Sequence, residues 1–100
     1  MSTFQTTETV SAPQEVASVE RVLTVFDNRT EQLVAEYSLQ SFDLESFKQQ
    51  FAVADNYDPL MYNVYPVLPK DAGFVSKYLG ESLAFDFDMN AYFIECNEIR

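Results

Sequence analysis

Histidine and tryptophan are absent from this chain, and glycine, cysteine and basic residues are scarce. Each gap removes a class of function. Without histidine, the commonest general acid–base group and a principal zinc ligand are missing. The single cysteine, Cys96, forms no internal disulfide and completes no zinc pattern; it is expected to serve as a small buried hydrophobe. Two glycines, Gly73 and Gly80, are too few for a phosphate-cradling loop. Ser76 and Ser82 have no histidine to activate them. The six Lys and Arg are scattered with no two adjacent, which argues against direct binding of nucleic acid or an anionic membrane. No apolar run reaches membrane-spanning length. Residues 1–12 lack the basic and apolar regions of a signal peptide. A cytoplasmic, non-catalytic protein without cofactor or metal is the expectation.

What is present is acid and aromatic rings. Sixteen Asp and Glu give a net charge of −10 over 100 residues, while nine Phe and six Tyr help bring the apolar share to 47%. That apolar share suits one folded domain and not a disordered chain. Residues 1–16 have no clear period and read as a flexible tail; residues 17–100 read as a single domain. The charge excess fits either solubility or a cationic partner protein.

The stretch Val19–Phe26 is β-branched and aromatic, a strand by composition. Asp27 to Glu31 follows as a polar turn, and Leu33, Ala35, Tyr37 and Leu39 then alternate with Val34, Glu36, Ser38 and Gln40, which marks a strand with one face buried. Together they predict an antiparallel hairpin. From Ser41 to Val53 the period changes: Leu44, Phe47 and Phe51 share a helical face, Asp43 is the N-cap, and Phe42 with Phe47 has the spacing of a hydrophobic staple. Asp58-Pro59 reads as the start of a short helix running to about Val64, with a strand over Met61 to Tyr65 as the alternative. Asp71 to Leu79 reads as a helix closed by Gly80 at C′. Phe85, Phe87 and Met89 alternate with Asp86, Asp88 and Asn90 within a strand-like end, Leu83 to Ile99, which is either one long strand or a hairpin turning at Asn90-Ala91. The predicted fold class is α+β: an antiparallel sheet of three to four strands with two or three helices packed on one face.

Two clusters are candidate partner-binding sites. In the strand reading, Asp86 and Asp88 stand about 7 Å apart on one exposed face and form a negative stripe. Asp86, Asp88 and Asn90 also open like a calcium loop, but Ala91 and Asn97 stand where that loop requires Gly and Glu, so no calcium site is expected. The second cluster, Asp55, Tyr57, Asp58 and Tyr62 with Tyr65 beside it, combines carboxylates with rings that suit Arg and Lys through ion pairs and cation–π contacts. The plainer reading makes these Asp residues caps and turn formers, with some Tyr rings packed on the core. No carboxylate pair is marked out for glycoside hydrolysis.

Taken together, the opening hairpin Arg21-Val22-Leu23-Thr24-Val25-Phe26-Asp27-Asn28-Arg29-Thr30 and the ending Phe85-Asp86-Phe87-Asp88 through Tyr92-Phe93-Ile94-Glu95 resemble small bacterial domains of uncharacterised type. They also resemble the immunity proteins of colicin and contact-dependent growth-inhibition systems. The likeness covers roughly residues 19–98 and is one of size, charge and texture, so it transfers no functional residue. It implies a monomer or weak dimer that blocks a basic toxin domain, often a nuclease. A nucleic-acid mimic directed at a DNA-binding protein, and a non-catalytic assembly subunit, are the alternatives.

Overall fold

The computed structural model describes residues 19–98; the expected tail, residues 1–16, and the end of the expected last strand at Ile99 lie outside them. The described chain forms β1 (Val19–Asp27), β2 (Leu33–Ser38), α1 (Leu44–Gln50), β3 (Tyr65–Val67), a 3-10 turn (Pro69–Asp71), α2 (Ala72–Ser76) and β4 (Asn90–Glu98). The strands make one open antiparallel sheet in the order β2-β1-β4-β3. This is the α+β architecture that the sequence predicts, with four strands and two short helices.

The first and last strands pair along their whole length, from Val19↔Glu98 to Asp27↔Asn90. Strand alternation then sorts the side chains. Arg21, Leu23 and Val25 share a face with Tyr92 and Ile94 of β4, Tyr65 and Val67 of β3, and Ala35 and Tyr37 of β2. Phe47 of α1 and Val75 of α2, both fully buried, join Leu23, Val25, Tyr92 and Ile94 in the core. The opposite face carries Glu20, Val22, Thr24 and Phe26 of β1, Glu36 and Ser38 of β2, and Phe93 and Glu95 of β4. Val22 is buried there, outside the core cluster, with Ser38 and Glu95 as its two cross-strand neighbours.

The hairpin turn forms as its sequence dictates. Asp27 Oδ1 accepts from the backbone N–H of Arg29 and Thr30 at 2.7 and 3.0 Å, and Glu31 takes a left-handed φ of 63°. The N-cap and staple of α1 are also present. Asp43 accepts from the Ser46 hydroxyl at 2.9 Å, and the Phe42 and Phe47 rings lie 4.4 Å apart. The helix stops three residues before Val53 because Ala52 turns left-handed (φ 56°). The N–H of Ala52 bonds Gln49 O and that of Val53 bonds Lys48 O, a Schellman ending that folds Val53 into the core.

Several expectations are corrected. Residues 59–64 are neither helix nor strand: Met61 is left-handed (φ 51°), and Asp58 caps the backbone of Tyr62 and Asn63 instead of a helix. The strand comes later, at Tyr65–Val67, where Pro66 is tolerated because β3 is an edge. The predicted helix from Asp71 to Leu79 ends at Ser76, and Gly80 is not a left-handed C′ residue. There the backbone leaves the helix to bridge the end of β2, with Leu39 opposite Leu79 and Gln40 N–H donating to Tyr78 O at 2.8 Å. Finally, Phe85 to Met89 is not strand. Asp86 Oδ1 accepts from Asp88 N and Met89 N, both at 3.2 Å, so local Asp turn chemistry overrides the alternation. Phe85 and Phe87 stack on each other and pack on Tyr92, with centroids 4.7 and 5.0 Å from its ring. The hairpin alternative at Asn90-Ala91 also fails, since both residues lie inside β4. Cys96, also on β4, is half-buried and not fully enclosed.

Phe47 is the hub of the helical layer, touching the rings of Phe42, Phe51, Phe74 and Tyr78. Phe47→Ala is expected to lower the free energy of unfolding by about 3–5 kcal/mol. The exposed neighbour Gln49→Ala is expected to change it by no more than about 0.5 kcal/mol. Urea denaturation of the two variants measures the difference.

Candidate functional site

The structure separates the two acidic clusters. The residues 55–62 loop gathers near Arg21, whereas Asp86 and Asp88 sit by Asp27, at the other end of β1. Arg21 and Asp27 are six residue steps apart along the strand, a distance of about 20 Å.

In the loop, Arg21 is the organising group. It sits on the inward face of β1, nearly buried at 7% exposure, and its Nη1 donates to Met61 O at 2.9 Å. Its guanidinium lies over the Phe42 ring at 4.6 Å and the Tyr62 ring at 5.5 Å. Asp58 is turned inward as well, at 8% exposure. Its Oδ1 accepts from Tyr62 N at 3.0 Å, and its Oδ2 accepts from Asn63 N at 3.0 Å and from the Tyr65 hydroxyl at 2.5 Å. Burial pushes the Asp58 carboxyl up. The Tyr65, Asn63 and Tyr62 bonds and the Arg21 charge outweigh it, leaving the pKa below its ordinary 3.8. Burial first, and then the bond to Asp58, raise the Tyr65 hydroxyl to about 12, so it remains a donor. Asp58 therefore organises the loop and offers a partner little surface.

Asp55 is exposed but engaged by Lys48, whose own side chain is nearly buried; Glu45 lies 3.8 Å from the same ammonium. The bond to Asp55 is the main cause of a raised Lys48 pKa. Tyr57 and Tyr62 are the outward groups of this loop, at 69% and 42% exposure. Asp71, which the sequence offered only as a helix start, is another inward carboxylate. It accepts from Gln50 Nε2 at 2.7 Å, Leu68 N at 3.0 Å and Lys70 Nζ at 3.2 Å.

The opposite end of the sheet is different. Asp86 and Asp88 are both exposed, in the turn that leads into β4. Asn28 ties this turn to the hairpin: its N–H donates to Met89 O at 2.9 Å, and its Nδ2 to Phe87 O and Asp88 O at 3.4 and 3.3 Å. Asp27 and Glu31 thus share one end of the molecule with Asp86 and Asp88. Beside them a mostly apolar cleft of about 340 Å³ is lined by Phe26, Asp27, Asn28, Glu31, Ala91 and Phe93. The Phe26 and Phe93 rings meet edge to face at 5.8 Å. From the cleft, the helix-free face of the sheet, the one that carries none of the described helices, runs back past Glu36 and Glu95 to Glu20, with no Lys or Arg among its described residues. Glu95 accepts from the Thr24 hydroxyl at 2.8 Å, and Glu20 from the Ser38 hydroxyl at 2.5 Å.

This face is not legible in the sequence, because which strands lie side by side, and in what register, is set by long-range pairing. The parity that puts Leu23 and Val25 inward also puts Phe26, Glu36, Phe93 and Glu95 together on the other side. Among the described residues no group of three His, Cys, Asp or Glu is placed to hold a metal ion. No described helix is long and apolar enough to cross a membrane.

A family sequence model described as a domain of unknown function (DUF7683) matches residues 20–95, and the chain belongs to that family. No curated protein matches it. The family description names no activity and makes no connection to immunity proteins.

Because the folded pKa of Asp58 lies below the unfolded value, its ionised form stabilises the fold above that value. This contribution fades as pH falls through the folded pKa. Asp58→Asn is expected to cost about 1–3 kcal/mol at neutral pH. The gap to the unsubstituted protein should narrow below about pH 4. Urea titrations at several pH values measure it; a gap that stays constant into acid would mean that the charge is irrelevant.

Proposed function

We propose that this DUF7683 domain is a non-catalytic acidic binding module whose partner is a basic protein. The observation that carries the reading is the direction of the charges. Arg21 is sequestered by the loop and Lys48 by Asp55, while Lys70 contacts the buried Asp71 and Lys77 lies over the Phe74 ring. The exposed acids outnumber the cations beside them: Glu31, Asp86 and Asp88 share the hairpin end with one cation, Arg29, and Glu36 and Glu20 stand exposed on the sheet face opposite the described helices. A net charge of −10 arranged in this way attracts cations over about a Debye length, roughly 10 Å at 0.1 M salt. It steers encounter more than it sets final affinity.

In its finer form, the module is an immunity or inhibitor protein that covers the positive cleft of a toxin nuclease, as a monomer or weak dimer in the cytoplasm. The chain's size, acidity and exposed Tyr57 and Tyr62 support that form. Sixteen acids in 100 residues are sparser than a long phosphate mimic requires, which ranks nucleic-acid mimicry lower.

With a partner recovered by low-salt capture on the full chain, the association rate is expected to fall about tenfold or more from low to high salt. Stopped-flow mixing measures the rate. A rate indifferent to salt contradicts steering, and competition of the complex by duplex DNA would favour the mimic.

A further inference from the structure

Resting on that reading, we infer that the Phe26–Phe93 cleft is the anchor site of the module and takes an arginine side chain from the partner. Two independent features of the cleft converge on this occupant. Its floor is aromatic and aliphatic, formed by Phe26, Phe93 and Ala91. Its rim is anionic, formed by Asp27 and Glu31, with Asp86 and Asp88 beyond Asn28. An apolar floor alone suits an aliphatic side chain, and an acidic rim alone suits any cation. The two together suit a side chain with an apolar stem and a flat charged head. Arginine has that form: its stem lies along the rings, its guanidinium stacks on an aromatic face, and its fork of donors reaches carboxylates.

The rim is held in place before any ligand arrives. Asp27 is fixed by its bonds to Arg29 N and Thr30 N, and these keep its carboxyl below the usual range and therefore charged. Asn28 is fixed by three bonds to the Asp86–Met89 turn. Such preorganisation lowers the entropy lost on binding. Arg29, in the same turn, is the nearby cation that a ligand must displace or avoid. Residues 1–18 contain neither Lys nor Arg, so charge complementarity favours a separate protein over the chain's own leading segment. Two copies of a chain at net charge −10 repel, which disfavours a second copy. Beyond the anchor, Glu36, Glu95 and Glu20 continue along the same face as positions for further basic residues.

The test uses the full chain, isotopically labelled, with a hexa-arginine peptide and its hexa-citrulline counterpart as probes at low salt. Citrulline keeps the shape and removes the charge. Saturable amide shifts centred on Phe26, Asn28, Glu31 and Ala91 with the arginine peptide, and none with citrulline, are expected. Glu31→Gln is expected to weaken the arginine peptide about threefold, and Glu45→Gln, an exposed acid on α1 away from the cleft and its face, to leave it unchanged. Saturable binding that maps to other acids overturns the cleft and leaves the acidic-module reading intact. Absence of binding by either peptide overturns both. Equal binding of the two peptides overturns the charge argument. Shifts at the cleft that depend on protein concentration without peptide would assign it to a second copy and overturn the proposal.

Discussion

The pairing of the first described strand with the last is the constraint from which the rest follows. The β1–β4 ladder joins residues at the two ends of the described chain over nine consecutive positions. It leaves β2 and β3 as the edges, so the core must form against one side of a four-stranded sheet. Register then decides the fate of every charge on β1. A slip of one residue would put Arg21 on the side of Glu95 and expel Leu23 and Val25 from the core. In the observed register Arg21 enters the core side, and the loop from Asp58 to Tyr65 is built around it with the Asp58 carboxylate nearby, the Tyr62 ring and the Met61 carbonyl, while Phe42 supplies a second ring from outside the loop.

Burying two cations, Arg21 and Lys48, and two carboxylates in so small a domain is expensive unless each is fully bonded. Arg21, Asp58 and Asp71 are each met by several partners, and no buried side-chain polar atom in the described residues lacks one. These groups rigidify loops that have little regular structure. The helices are short, seven and five residues, too short to be stable without the sheet beneath them. Inward charges therefore act as structural pins, while the outward charges are left to interact with solvent or a partner.

The legible parts of the sequence were those governed by local rules with a single interpretation. The hairpin, the N-cap at Asp43, the Phe42–Phe47 staple and the α+β class all follow from turn chemistry and periodicity. Two of the failures share one physical origin, competition between two local rules, whereas the helix after Asp71 is cut short by the long-range bridge of Leu79 to Leu39. At Asp86–Met89, alternation suggested a strand, but an Asp side chain bonding its own backbone made a turn. At Asp58-Pro59, helix-start chemistry was present, yet the same carboxylate reached further along the chain to close a loop. Of the proposed partner-facing residues, Asp86, Asp88, Tyr57 and Tyr62 point outward, Asp55 is exposed and paired, and Asp58 is committed inside. That Asp58 is internal depended on Arg21, which is distant in sequence and only a ladder register brings near. The cleft at Phe26 and Phe93 was hidden for the same reason.

The fold buries Arg21 and Lys48 and leaves only Arg29 among the acids of the hairpin end, so a negative potential concentrates there and on the sheet face opposite the described helices. Paramagnetic relaxation of the amide protons by a cationic and an anionic nitroxide of equal size measures that potential directly, without a partner. The account predicts that the cationic probe is enriched severalfold over the anionic one at Asn28, Glu31, Glu36 and Asp88. It predicts much weaker enrichment around Lys70 and Lys77. A ratio that is uniform over the surface, or highest around Lys70 and Lys77, would contradict it.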